Sequence, residues 1–131
     1  MDSEKTRAFL QNIFESVDFD FTTFGDYLSD DLVWTATGDS PLSGRYEGKE
    51  SYLRQVLGPL HEKLASPIKP ILLRILVDGL WAAVHFRSEN VRAKNGADFS
   101  MDYCWMMKVQ GDKIVEVVGW YDQKKMWDIF S

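Results

Sequence analysis

Four strand-like segments in the second half of the chain constrain its fold more than any other feature. Each is rich in β-branched and aromatic residues, and they read IKPILLRILV (68–77), LWAAVHFRSENVRA (80–93), DFSMDYCWMMKV (98–109) and KIVEVVGWYD (113–122). The pairs Asp-Gly at 78–79, Asn-Gly at 95–96 and Gly-Asp at 111–112 separate them. Such pairs supply the positive φ angles of tight antiparallel turns, so the segments predict a meander of long hairpins.

The first half of the chain shows the helical period instead. Apolar residues recur at helical spacing behind a plausible cap at Ser3, and they are Phe9, Leu10, Ile13, Phe14 and Val17. A short second helix is predicted in DFTTFGDYL (20–28), and a third runs from Lys49 to about Leu64. Pro59 should kink the third helix, because proline lacks the backbone donor and clashes with the preceding turn.

Helices come first and antiparallel strands follow, which is an α+β order. A further strand is predicted in DLVWTATG (31–38), and a few extended residues are predicted around Arg45 and Tyr46. A final helical turn is predicted over 123–130. The length suits one domain over residues 1–131. We expect the helices to cover one face of a strongly curved sheet and to leave a concave space at one end.

Charge and composition exclude several classes of function. The net charge is -5 and the basic residues form no long cluster, which argues against nucleic-acid binding. The charged N-terminus and the lack of a long apolar run predict a soluble cytoplasmic protein without a membrane segment. Two histidines and one cysteine, widely separated, give no metal-ligand spacing, and no phosphate-binding loop suggests a cofactor. Cys104 lies between aromatic residues and is predicted to be an inert buried thiol.

The segments LVWTATGDSPLSGRYEG and MDYCWMMKVQGDKIVEVVGWYD resemble the ketosteroid isomerase-like, SnoaL-like branch of the nuclear transport factor two-like superfamily. The resemblance extends over nearly the whole chain, because the order of helices and strands agrees as well. It implies a cone of helices packed into a bent sheet (cystatin-like), a cavity at the wide end, and a homodimer through the outer face of the sheet. Steroid isomerases, polyketide cyclases, epoxide hydrolases, dehydratases and non-enzymatic binders share this fold, so it leaves the activity open.

The resemblance argues against authentic steroid isomerase activity. The family's base falls near Thr35, its oxyanion tyrosine near Gln11 and its neutral acid near Cys104. None of these side chains supplies the carboxylate, phenol or carboxylic acid that the reaction needs.

The epoxide hydrolase-like members imply a different set of catalytic residues. Asp122 stands where they carry an acid, and Arg87-x-Glu89 matches their arginine–acid pair with one residue of gap. Two alternatives stay open. Arg87 and Glu89 lie at opposite parity to the apolar residues of their strand, which favours a solvated ion pair, and Asp122 suits an N-cap of the terminal helix.

Five aromatic residues are candidates for lining the cavity: Trp34, Tyr46, Tyr103, Trp105 and Trp120. Core packing is the alternative for each of them. Asp102 is predicted to pair with an arginine or lysine across the strands. The favoured hypothesis is a cofactor-independent protein that takes a small apolar molecule and uses acid–base chemistry, as an isomerase, cyclase, dehydratase or epoxide hydrolase does. The alternatives are a non-catalytic binding module and a dimeric scaffold.

Overall fold

The computed structural model describes residues 3–16, 21 and 23–131. Its strands are β1 (Leu28–Ala36), β2 (Gly44–Glu47), β3 (Ile71–Asp78), β4 (Trp81–Arg87), β5 (Asp102–Gln110) and β6 (Lys113–Trp120). They form one six-stranded sheet in the order β2-β1-β6-β5-β4-β3. Only β1 and β6 pair in parallel among these neighbours, so the predicted α+β fold with a mainly antiparallel sheet is confirmed.

The helices at the two ends of the chain lie close to their predicted positions. α1 is Ser3–Phe14, and Val17 lies outside the described residues. Residues 20 and 22 of the predicted second helix lie outside the described residues. In the described part the structure has a 3₁₀ turn, Phe24–Tyr27, and Leu28 already belongs to β1. A later helix over Gln123–Ile129, labelled α4 below, confirms the terminal helical turn.

The predicted third helix is continuous but irregular. It comprises α2 (Lys49–Tyr52), a π-helical turn (Leu53–Leu57) and α3 (Gly58–Lys63). The Gly58 amide donates to the carbonyl of Leu53, five residues earlier. Pro59 cannot donate to the preceding turn, and the wider turn just before it is where the regular helical ladder changes.

The turn residues of the meander behave as their chemistry requires. Gly79 joins β3 to β4 with φ of 62°, and Gly111 and Asp112 join β5 to β6 with φ of 58° and 60°. Two positive φ angles in succession match the right-handed twist of the flanking strands. The antiparallel meander from β3 to β6 is therefore confirmed.

The hairpin between β4 and β5 is shorter than predicted. Its ladder ends at Arg87 opposite Asp102. Residues 88–101 form a loop that keeps an isolated bridge between Arg92 and Asp98 and backbone hydrogen bonds from Ser88 to Met101 and from Phe99 to Val91. Asn90 leaves the extended conformation with φ of 58°. The loop turns its apolar residues into the core, where Val91, Ala93 and Phe99 are buried. Burial of these side chains explains why the segment departs from the sheet.

The sheet has a covered inner face and an exposed outer face. Ala82, Val84 and Phe86 of β4 and Tyr103, Trp105 and Met107 of β5 point inward and are buried. The alternate residues of β5 are exposed, namely Asp102, Cys104 and Met106. Alternation of this kind follows from the two-residue period of a strand. It also places polar side chains of β4 and β5 on the outer face.

Candidate functional site

Aromatic side chains occupy most of the space between the helices and the sheet. Trp34 is fully buried and stacks on Tyr52 with ring centroids 4.0 Å apart. Trp105 packs edge-on against Trp34 and against Phe86, with centroid separations of 4.9 Å each. The remaining internal pocket measures only about 20 Å³. That volume suits about one water molecule or one small chemical group, so the interior holds far less free space than the resemblance implies.

Gly119 makes room for this packing. It lies on β6 opposite Trp105, and a Cβ atom there would meet the Tyr121 hydroxyl at 2.5 Å and Trp105 at 3.0 Å. The Tyr121 hydroxyl instead accepts a hydrogen bond of 3.2 Å from Nε1 of Trp34. Burial raises the pKa of Tyr121, while the bond from Trp34 opposes that rise. Tyr121 is thus held as a neutral phenol in the core.

Two buried donors in the same region have no hydrogen-bond partner among the described residues. They are the hydroxyl of Tyr103 and Nε1 of Trp105, and both side chains line the internal pocket. Burial raises the pKa of Tyr103, and the neighbouring Ser88 side chain opposes that rise. The Ser88 oxygen accepts from the Met101 amide at 3.2 Å and keeps a second lone pair. Unpaired buried donors are uncommon in folded proteins and call for a physical reason.

A much larger cleft lies at the end of the sheet where β5 begins and β6 ends. It measures about 690 Å³, and the residues used below that line it are His85, Asp102, Cys104, Trp120, Asp122 and Lys125. Tyr103 and Tyr121 also line it, and the same two residues line the internal pocket. The two tyrosines therefore form the partition between the open cleft and the interior.

A hydrogen-bonded histidine–aspartate pair lies on one side of the cleft. Nε2 of His85 lies 2.9 Å from Oδ2 of Asp102, and the two side chains are 28% and 65% exposed. A neutral imidazole that donates to this carboxylate does so from Nε2, which leaves Nδ1 as its acceptor nitrogen. Arg87 is the direct cross-strand neighbour of Asp102, but its side chain pairs with Glu89. Asp102 pairs with His85, its diagonal neighbour across the strands, in place of the predicted arginine or lysine.

Cys104 is exposed, so the prediction of a buried thiol is wrong. It pairs directly with His85 across the β4–β5 ladder. Its aromatic neighbours in sequence, Tyr103 and Trp105, point to the other face of the strand.

Asp122 also lines the cleft, as the N-cap of α4. Its Oδ1 accepts a 3.0 Å hydrogen bond from the amide of Lys125, and the side chain is exposed. The Lys125 ammonium binds the carbonyl of Ser100 and lies 3.4 Å from Asp98. The capping alternative therefore describes what Asp122 does in the fold, and its catalytic assignment stays a prediction.

Arg87 and Glu89 form an ion pair at the outer end of β4. Their side chains are 3.0 Å apart and 44% and 51% exposed. Neither belongs to the described residues that line the cleft or the internal pocket. The structure therefore does not bring this pair together with Asp122 in one pocket, and a catalytic role for the pair also stays a prediction.

The five aromatic candidates divide into four groups. Tyr103 and Trp105 line the internal pocket, and Trp120 is 44% exposed in the cleft. Trp34 belongs to the packed interior. Tyr46 donates to the Leu42 carbonyl at 3.0 Å, which fixes its ring on the edge strand β2. Sequence reasoning did not single out Tyr121, although its place beside Asp122 could have suggested it.

Comparisons with known proteins agree with the architecture. The chain has an NTF2-like fold: it resembles an NTF2-like protein of unknown function from Burkholderia pseudomallei, with 15% identity over 100% of this chain and 99% of that one and a TM-score of 0.77. Residues 6–117 match the SnoaL-like domain family, so the protein belongs to that family and the predicted resemblance is confirmed.

Two further solved structures show how widely the fold is used. A candidate SnoaL-like polyketide cyclase from Mesorhizobium loti is 22% identical, over 92% of this chain and 100% of that one, with a TM-score of 0.67. A de novo designed protein with a curved β-sheet is 16% identical, over 99% and 98% of the two chains, with a TM-score of 0.65. The sequence matches no curated protein. At these identities the likeness concerns the fold, and the activity has to be argued from the site.

Among the described residues, none of the helices is long and apolar enough to cross a bilayer.

Proposed function

We propose that this SnoaL-like protein binds a small, largely apolar and uncharged molecule in the open cleft. The observation that carries the proposal is the combination of a cleft of about 690 Å³ with aromatic walls formed by Tyr103, Tyr121 and Trp120. Pockets that bind small molecules commonly have this volume and combine aromatic walls with polar groups that orient the ligand. In this cleft polar and charged side chains form most of the lining beside the three aromatic ones.

The charges of the cleft favour an uncharged ligand over an anion. Three carboxylates line it, those of Asp98, Asp102 and Asp122, against the one ammonium group of Lys125. Hydrogen bonds from Ser100 hold the pKa of Asp98 below its usual value, so this group stays ionised at neutral pH. Lys125 is already bonded to Ser100 and Asp98. A ligand carboxylate or phosphate would therefore meet like charge without a free cation.

Titration with 2-indanone, a small bicyclic ketone, tests binding in the cleft. The indole N–H resonance of each tryptophan reports on its surroundings in ¹H–¹⁵N NMR spectra. We expect the Trp120 resonance to shift on titration, because its ring is exposed in the cleft, and Trp120→Ala to weaken binding about tenfold.

Trp127 provides the matched control, because it is 51% exposed on α4 and does not line the cleft. Its resonance should stay in place, and Trp127→Ala should bind 2-indanone like the wild type. Shifts at Trp127 in place of Trp120 would contradict the proposed site.

The hydrogen bond between His85 and Asp102 favours acid–base catalysis as a second candidate function at the same cleft. A histidine oriented by a carboxylate through one nitrogen can take a proton at the other. Asp122 supplies a further carboxylate in the cleft. This assignment keeps Asp122 from the sequence prediction and adds His85 and Asp102 in the place where Arg87 and Glu89 were expected.

Deuterium exchange tests the second candidate. The hydrogens beside the carbonyl of 2-indanone exchange slowly in D₂O, and a positioned general base accelerates such exchange by about a hundredfold or more. We expect the protein to accelerate it and His85→Ala to remove most of the acceleration, as followed by ¹H NMR. Equal exchange rates with the wild type and with His85→Ala would contradict the catalytic function of His85 and would not affect the proposed binding function.

We also propose a homodimer through the outer face of the sheet. Leu76 and Met106 are 65% and 40% exposed there, beside a shallow groove of about 490 Å³ whose wall includes Trp81, Ala83 and Val118. A contiguous apolar surface of this kind is typical of a protein interface, and two-fold symmetry lets one such patch cover its own copy. Groove and cleft have no described lining residue in common, although both include residues on the outer face of β4, β5 and β6.

A further inference from the structure

We propose that a second copy of this chain closes the outer side of the cleft, so that the ligand lies between His85 and Trp120 of one protomer and the sheet of its partner. The proposal rests on the binding function and the dimer proposed above, and it adds that the cleft of a single protomer is incomplete. Ligand binding and dimerisation then strengthen each other.

The groove and the cleft lie on neighbouring rows of the outer face. Met106 of β5 lines the groove and pairs with Val118 of β6, whereas Cys104, two residues earlier on β5, lines the cleft and pairs with Trp120. Met106 and Trp120 are therefore diagonal neighbours, about 7–8 Å apart at the backbone. Their side chains are 40% and 44% exposed. The apolar surface of the groove thus continues into the wall of the cleft.

On its other side the groove gives way to charged residues. The next outer-face residues of β5 and β6 are Lys108 and Glu116, which lie opposite each other, and the turn at Gly111 follows. Covering charged side chains with a partner is costly. A second copy that covers the groove is therefore expected to extend toward Trp120.

The area that a stable dimer needs leads in the same direction. A specific interface buries about 800 Å² on each partner. The groove occupies two rows of side chains on the outer face of β3 to β6. Two rows over four strands cover roughly 10 by 20 Å of sheet, about a quarter of the required area. The interface must extend over further rows, and the adjacent apolar row contains Cys104 and Trp120.

That adjacent row has a gap at its centre. His85, Cys104 and Trp120 lie side by side on β4, β5 and β6. Cys104 is small and exposed, and the two rings beside it stand on strands about 10 Å apart. A partner sheet packs at about 10 Å from this one and covers the gap. A ligand in the gap is then shielded from water, which strengthens the binding of an apolar molecule.

The first test compares ligand affinity in the monomer and the dimer. We expect 2-indanone to bind about tenfold more weakly to the monomeric variant Leu76→Arg than to the wild-type dimer, as followed by the Trp120 indole resonance. A tenfold change corresponds to about 55 Å² of apolar ligand surface covered by the partner. Leu76 lines the groove and not the cleft, so direct ligand contacts remain. The dimeric control Trp127→Arg should bind like the wild type.

The second test uses the wild type alone. A dimer has two clefts, and each contributes the tenfold factor, so saturating 2-indanone should lower the dimer Kd about a hundredfold. Analytical ultracentrifugation with and without 2-indanone measures this change.

The outcomes separate this proposal from the binding function. If Leu76→Arg binds 2-indanone as tightly as the wild type and the ligand leaves the dimer Kd unchanged, one protomer suffices and closure by the partner is overturned. A ligand that raises the dimer Kd would show that the partner blocks the cleft, which overturns closure as well. A wild type that stays monomeric in saturating 2-indanone overturns closure together with the dimer. If 2-indanone does not shift Trp120 at all, the proposed function fails and closure fails with it.

Discussion

Replacing Gly119 with alanine is expected to lower the free energy of unfolding by about 2–3 kcal/mol. The added Cβ would lie 2.5 Å from the Tyr121 hydroxyl, closer than two such atoms can approach. Tyr121 would have to move, and Nε1 of Trp34 would then lose its acceptor inside the core. A buried donor left without a partner adds about 1–3 kcal/mol to the effect of the steric clash. Urea unfolding of the wild type and the variant measures the difference.

Gly25→Ala is the matched control for Gly119→Ala. Neither glycine has a positive φ, and a Cβ at Gly25 would meet its nearest neighbour at 3.6 Å, an ordinary contact. Alanine there should change stability by less than about 1 kcal/mol. Equal effects at the two positions would show that the region around Tyr121 and Trp105 is loosely packed and would contradict the filled interior.

Replacing Leu76 with arginine is expected to convert the dimer into a monomer. Leu76 is 65% exposed on the edge strand β3 and lines the groove of the proposed contact. Two-fold symmetry places the new charge in the interface twice, without a partner, so the dimer Kd should rise by about a hundredfold or more. Analytical ultracentrifugation across a range of concentrations measures the Kd.

Trp127→Arg serves as the control for Leu76→Arg. It changes a similarly exposed apolar residue on α4, away from the groove. This variant should remain dimeric at the concentrations at which Leu76→Arg is monomeric. A wild-type protein that sediments as a monomer throughout the range would contradict the proposed interface.

The fold could be predicted because its signals are local. Gly79 and Gly111 mark the turns of the meander, and the apolar alternation of β4 identifies its inner face through Ala82, Val84 and Phe86. Turn chemistry and side-chain period act over a few residues, so one sequence contains them. The position of Arg87 and Glu89 outside the core follows from the same alternation.

The histidine–aspartate pair could not be predicted because it depends on the register of one hairpin. Near the turn Arg92 lies opposite Asp98. If this register continued unchanged for five residues away from the turn on both strands, Arg87 would lie opposite Tyr103. In the structure Arg87 lies opposite Asp102, one residue away from that register. A shift of one residue exchanges the faces of a strand relative to its partner. The irregular loop over residues 88–101 produces the shift, and with it Asp102 reaches His85.

The filled interior also could not be predicted from the sequence. Trp34, Trp105 and Tyr121 have the composition of a cavity lining and of a packed core alike, and only their mutual contacts distinguish the two. Trp34 stacks on Tyr52, and Gly119 lets Tyr121 approach Trp105. These contacts join residues far apart in the chain, which local patterns do not encode.

The position of a bound ligand tests the central claim most directly, namely that the ligand lies in the open cleft and not between the helices and the sheet. Crystals grown with 5-bromo-2-indanone would show the bromine by anomalous diffraction. We predict a bromine peak in the cleft, on the side of Trp120 and His85. A bromine peak between the helices and the sheet, among Phe24 and Trp34, would contradict the account.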